Sequence, residues 1–194
     1  EVEAWVERLR QHRLARVSVA GQSVAGRPLY RIDIGLEEPD APTIVMSQTP
    51  QPSEGVGTHA CRAIVEWLIG DDAQAAAIRA VHRVVVVPAT NPDGTVLGLG
   101  VSHPSGRFPY FEGKLTAEGA PDALPEMRAM WELLTRERPW WFIEWHGNNW
   151  ARRPGHALLR YRPHLLDEPS RRALWESIDD QLLALPDTHH GNWT

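Results

Sequence analysis

Three short segments of the chain bring together residue types that can do chemistry: Gln51-Pro-Ser-Glu54, Asn91-Pro-Asp-Gly94 and Glu144-Trp-His146-Gly147. Each follows a stretch that reads as a buried strand, and ligands in open α/β sheets collect at the carboxyl ends of strands. All three segments should therefore lie at one edge of the sheet. Strict alternation along WWFIEWH puts Trp141, Ile143 and Trp145 on one face and Phe142, Glu144 and His146 on the other. A carboxylate and an imidazole thus share a face. Each feature also has a plainer reading. Glu54 can be a first-turn carboxylate stabilised by the helix dipole, and Gln51 an exposed loop glutamine. Glu144 and His146 can be a hydrogen-bonded pair at a sheet edge, and Asn-Pro-Asp-Gly is the sequence of an ordinary type I turn.

The elements that must position these segments follow from periodicity. Residues 1–12 read as a helix, with Val2, Trp5, Val6 and Leu9 at helical spacing. Alternation on both sides of a Gly- and Ser-containing turn predicts an antiparallel hairpin over about 14–19 and 28–34. TIVMS (43–47) is a short apolar strand, followed by a polar loop and an amphipathic helix at about 57–69, with Asp71 and Asp72 punctuating its end. HRVVVVPA (82–89) carries four consecutive valines, the pattern of a strand buried on both faces. A long Gly- and Pro-rich stretch, 97–123, reads as irregular, and loops of that length are usually functional or mobile. Pro125 fits the first turn of a helix running to about Glu137, and WWFIEWH (140–146) is the next strand. Beyond His146 the sequence predicts a helix at about 168–184, a His-rich tail and no further strong strand. This order implies an α/β fold, a mixed β-sheet sandwiched by helices, in one domain over 1–194.

Composition narrows the function classes. A chain that is 42% hydrophobic and 23% charged fits a globular domain with a sizeable core. Its net charge of -5 offers no basic footprint for phosphate, so nucleic acid is not an expected partner. No apolar run approaches the roughly 20 residues of a spanning helix, so a membrane is not expected either. Cys61 is the single cysteine, which excludes an internal disulfide and favours a cytoplasmic setting. Its apolar surroundings, HACRAIVEWLI, make it a small core residue rather than a nucleophile. Four of the nine tryptophans, Trp140, Trp141, Trp145 and Trp150, bracket His146.

The order of the segments and their flanks resembles the zinc carboxypeptidase family. That family has a strand ending in His-x-x-Glu, a later strand ending in Asn-Pro-Asp-Gly and a last strand ending in a ligand histidine. QSVAGRPLYRIDIG looks like the family's early hairpin, and LPEMRAMWELL precedes the final strand as it does there. The likeness runs from about residue 14 to 147 and implies a carboxypeptidase-like fold.

By position, the resemblance makes Gln51, Glu54 and His146 the zinc ligands, with a fourth position open, as catalytic zinc requires. Gln51 stands where the family has histidine, and its neutral amide oxygen is a poorer zinc ligand, so affinity should fall. His103, in the long loop, is the histidine that could substitute. Asn91, Asp93 and His103 are assigned to the substrate side of the site, and Arg107 to oxyanion stabilisation.

Two family features have no counterpart. An Asp-x-Asn-Arg segment for holding a substrate carboxylate is absent from FPYFEGKLTAEG. The family's general-base glutamate lies on a strand well beyond the ligand histidine, and none of Glu168, Glu176 or Asp187 stands in a strand-like context. The resemblance therefore implies a divergent or truncated member lacking C-terminal strands. The implied function is a zinc-dependent hydrolase of a peptide or amide bond, with a peptide or acylated amino acid as substrate. The alternative is a catalytically impaired binding domain that keeps the fold.

Overall fold

The computed structural model describes residues 2–112, 116, 119–147, 156–159, 169, 173 and 188–191. In chain order the elements are α1 (Val2–Leu9), β1 (Ala15–Gln22), β2 (Pro28–Gly35), β3 (Thr43–Gln48), α2 (Val56–Leu68), α3 (Ala73–Val81), β4 (Arg83–Val87), a short α4 (Pro92–Val96), a 3-10 turn (Pro109–Glu112), α5 (Pro125–Glu137), β5 (Trp141–Trp145), β6 (His156–Leu159) and β7 (Thr188–Gly191). The chain gathers into two units, Glu1–Gly147 and Asn148–Thr194. No described helix is long and apolar enough to cross a membrane.

The first unit is built on a five-stranded sheet in the order β1-β2-β4-β3-β5. The hairpin strands β1 and β2 are antiparallel, β2 meets β4 antiparallel, and β3 runs parallel to both β4 and β5. This is the mixed sheet expected from the sequence. The valines of β4 explain why it sits at the centre. Val84 and Val86 join Trp5, Val6, Cys61 and Val65 in one cluster, while Val85 and Val87 join Val45, Met130 and Leu133 in another. Alternation on a single strand therefore supplies both cores, one under α1 and α2 and one under α5.

Helix ends follow local chemistry. The Asp72 carboxylate accepts from the backbone N–H groups of Gln74 and Ala75, both at 2.9 Å, and so caps α3. The sequence reading took Asp71 and Asp72 only as the end of the preceding helix and missed α3, although an aspartate followed by an alanine-rich run is a helix-start signal. Helix α5 begins with Pro125 in its first turn and ends where Arg138 adopts a left-handed conformation at φ 44°.

The last residue of α5 ties it to the sheet. The buried Glu137 carboxylate accepts from Arg31 at 2.6 Å, from Arg83 and from Arg136, and Arg31 also pairs with Asp33. A carboxylate is unfavourable at a helix C-terminus. Burial also works against its charge, but the three arginines outweigh both and hold the Glu137 carboxyl below the usual range.

In the second unit β6 and β7 pair in parallel, where the sequence predicts no further strong strand. Strands of four residues give too short an alternation to register as a pattern. The helix expected at 168–184 falls outside the described residues apart from helical positions at Pro169 and Ala173. Trp150, Glu168, Glu176 and Asp187 also lie outside them.

Candidate metal centre

The parallel register carries Glu144 and His146 to the end of the sheet. Ser47 pairs with Glu144 and Gln48 with Trp145, so the chain leaving β5 emerges beside the chain leaving β3. Thr49 N–H donates to the Trp145 carbonyl at 2.9 Å and extends that pairing one step further. The polar loop after β3 then turns, with Glu54 N–H on the Gln51 carbonyl at 3.1 Å, and delivers Glu54 just ahead of α2. Glu54 precedes the helix instead of occupying its first turn, and its carboxylate faces across to the end of β5.

There Glu54 Oε2 accepts from the Gly147 N–H at 2.9 Å and lies 3.0 Å from His146 Nδ1. On the other side of the ring, His146 Nε2 is 2.6 Å from Glu144 Oε2. Gly147 makes this approach feasible, since a Cβ there would stand 2.8 Å from Val56 Cγ1 and 3.2 Å from Glu54 Cα. The two ring nitrogens thus each face a carboxylate oxygen. A neutral imidazole carries one proton, so one nitrogen would direct a lone pair at an anion. Only a second proton or a cation resolves that conflict. Burial lowers the His146 pKa, but the bond and charge of Glu144, then those of Glu54, prevail and raise it above its ordinary value.

The Asn-Pro-Asp-Gly segment acts as a brace behind the site. Asn91 is buried; its Oδ1 accepts from Gly94 N–H at 2.9 Å and caps α4, while its Nδ2 donates to the Pro50 carbonyl at 3.0 Å. It therefore fixes the loop carrying Gln51. Asp93, also buried, holds the hairpin turn: its oxygens accept from Ser23 Oγ at 2.8 Å, Ala25 N–H at 2.9 Å and Arg27 Nη1 at 2.6 Å. Burial pushes its carboxyl up, yet these bonds and the Arg27 charge outweigh burial and hold it below the usual range. Both residues were expected on the substrate side; in the structure their polar groups are engaged with the protein.

His103 and Arg107 are engaged in the same way. His103, only 2% exposed, dips from its loop to bring Nε2 within 3.1 Å of Glu126 Oε1, and its Nδ1 accepts from Ser105 N–H at 3.1 Å. Glu126 Oε1 also accepts from Val24 N–H at 3.1 Å, so α5, the long loop and the hairpin turn meet at one carboxylate. Arg107 gives its guanidinium to both Glu112 oxygens and to the Asp122 carbonyl. That is a loop clasp, and Glu112 and Glu126 are the residues that sequence reasoning missed. The place of Glu126 in the first turn of α5, just after Pro125, was the available signal.

Asp93, His103 and Glu126 each offer a ligand atom within 4.8 Å of the other two. A cation there would compete with Arg27 for Asp93 and would need the nitrogen that faces Glu126. The Glu54–His146 pair has the better donor chemistry. Its 3.0 Å separation is near the roughly 3.3 Å edge of a tetrahedron with zinc–ligand bonds of about 2.0 Å. Gln51 is half-buried and stands three residues before Glu54, whose N–H its carbonyl accepts. Cys61 takes no part: it is fully buried in the core, and burial pushes its thiol up to about 12.

The mixed α/β sheet flanked by helices is a metallocarboxypeptidase-type fold. The chain belongs to the zinc carboxypeptidase family, whose sequence pattern matches residues 2–103. Among solved structures it is similar to a metallo-carboxypeptidase from Burkholderia cenocepacia, with a TM-score of 0.82 and 22% identity over 100% of this chain and 52% of that one. It is also similar to a Pseudomonas aeruginosa metallo-carboxypeptidase in complex with (2-guanidinoethylmercapto)succinic acid, with a TM-score of 0.72 and 19% identity over 97% of this chain and 49% of that one. An aspartoacylase family protein from Mesorhizobium loti gives a TM-score of 0.64 at 16% identity, covering 91% and 52% of the two chains. A comparison with curated protein sequences finds no match. The chain spans about half the length of these solved structures.

Proposed function

We propose that this chain contributes the metal-binding half of a zinc-dependent hydrolase that cleaves a peptide bond or the amide of an acylated amino acid. The observation that carries the reading is the 3.0 Å approach of His146 Nδ1 to Glu54 Oε2 at the ends of two parallel strands. In this reading Glu54 and His146 hold zinc and Gln51 is the third, weaker donor. Zinc, when bound, supplies Lewis acidity toward the scissile carbonyl and acidifies water. The chain's own contribution is rigidity: Gly147 N–H fixes Glu54, and Asn91 fixes the loop through Pro50. Arg107, clasped by Glu112, enters as a loop anchor and not as an oxyanion donor.

A second reading, a binding domain that keeps the fold and has lost catalysis, is favoured by that same clasp and by glutamine at position 51. The two separate in one experiment. Purified protein, loaded with zinc, is assayed against short peptides and N-acylated amino acids. Hydrolysis abolished by a chelator and restored by zinc supports the hydrolase. Zinc binding without turnover supports the binding domain, and indifference to zinc in both binding and turnover overturns the metal-centred reading.

A further inference from the structure

We infer that Glu144 is a positioning residue for the metal centre, holding His146 by Nε2 so that Nδ1 is the nitrogen presented to the ion. The inference rests on the reading of Glu54 and His146 as zinc ligands. Its basis is the geometry of one strand end. Glu144, on β5, and His146, the residue that follows the strand, are two residues apart, and their side chains meet at 2.6 Å through Nε2. An imidazole that ligates through one nitrogen must place its remaining proton on the other, and a carboxylate acceptor there fixes the tautomer, locks the ring plane and raises ligand basicity. Glu144 is the acceptor in that position, while Nδ1 lies on the side of Glu54, 3.0 Å away.

The surroundings fit this division of labour. The Glu144 and His146 side chains keep 27% and 25% of their surface exposed, so neither is a core group buried for packing alone. Ser47, the register partner of Glu144 on β3, has a fully buried hydroxyl without a hydrogen-bond partner. Glu54 is steadied independently by Gly147 N–H, so each of the two donors has its own support.

The test compares Glu144→Gln, which keeps an acceptor oxygen, with Glu144→Met, which keeps the length and removes it. Zinc affinity of the full chain is measured by competition with a chromophoric chelator, and the ligand field is read from the visible absorption of the cobalt-substituted protein. Removing an outer-shell partner of a ligating histidine weakens metal binding roughly 10–100-fold. Glu144→Met should fall in that range at unchanged stoichiometry, with its cobalt bands shifted, and Glu144→Gln should recover most of the affinity.

Wild-type affinity and unshifted bands in both variants would overturn the role of Glu144 and leave the zinc site standing. Wild-type protein that binds no zinc, or binds it as tightly after Glu54→Gln and His146→Ala, would overturn the site and the inference together. Should Glu144→Met fail to fold, Glu144→Ala takes its place: a loss of zinc affinity with shifted bands supports the role, and identity with wild type contradicts it.

Discussion

Two clusters in the first unit are made of the same materials, two carboxylates and a histidine, and they differ in what surrounds them. Asp93, His103 and Glu126 are almost wholly buried; Arg27, Ser23 and Ala25 N–H occupy the Asp93 oxygens, Val24 N–H and His103 meet Glu126 Oε1, and Glu126 Oε2 is buried without a hydrogen-bond partner. Glu54, Glu144 and His146 stand at a strand end with part of the imidazole and of Glu144 open, and both carboxylates converge on the one ring. In the first arrangement Arg27 answers the Asp93 charge, and the cluster joins three segments. The second concentrates negative charge around a nitrogen donor, which is what a divalent cation requires. Residue type alone does not distinguish the two clusters; the guanidinium of Arg27 on Asp93 is found in the first and has no counterpart among the contacts described for the second.

Substitution at Asp93 should have the largest effect. Removing one partner of a buried pair costs about 3–5 kcal/mol, and because Arg27 is more than a third exposed the lower end applies. Asp93→Ala should therefore lose about 3 kcal/mol in urea unfolding while zinc affinity per folded molecule is retained. A loss below about 1 kcal/mol would remove the distinction between the two clusters.

Acid should act through the same groups. Asp93 and Glu137 have native pKa values held below their unfolded ones. Their stabilisation is therefore complete above the unfolded carboxylate range near pH 4 and is lost as pH falls through the lowered native values. The urea midpoint should drop steeply below about pH 4, and Asp93→Asn with Glu137→Gln should flatten that limb.

Much of the fold was legible because the apolar pattern of each long element matched its period. The valines of β4 announced a strand buried on both faces, and Pro125 marked the start of α5. What was missed had weak local signals. Helix α3 was hidden because Asp72 was read as the end of one helix when its carboxylate caps the next. In the site, alternation correctly put Glu144 and His146 on one face, whereas Asn91, Asp93, His103 and Arg107 could not be told apart from ligand-facing residues. Their partners, Pro50, Arg27, Glu126 and Glu112, include groups distant in sequence, and burial of a polar side chain is not written in its neighbours.

Smaller effects sharpen the comparison. Gln51→His replaces a neutral oxygen donor by imidazole and should raise zinc affinity about tenfold or more, roughly 1.4 kcal/mol. Calorimetric titration checks this, and no change would move the site away from position 51. The Cys61 thiol, buried and pushed up to about 12, should stay inert to a disulfide reagent at pH 8 until the protein unfolds. Rapid labelling of native protein would contradict the packing of α2 against the sheet.

The most direct test of the account is zinc stoichiometry in three proteins: wild type, His146→Ala and His103→Ala, each dialysed against buffered zinc. The account predicts about one zinc in wild type, close to none in His146→Ala, and wild-type content in the folded fraction of His103→Ala. Zinc retained by His146→Ala and lost from His103→Ala would assign the metal to the buried cluster and contradict the central claim.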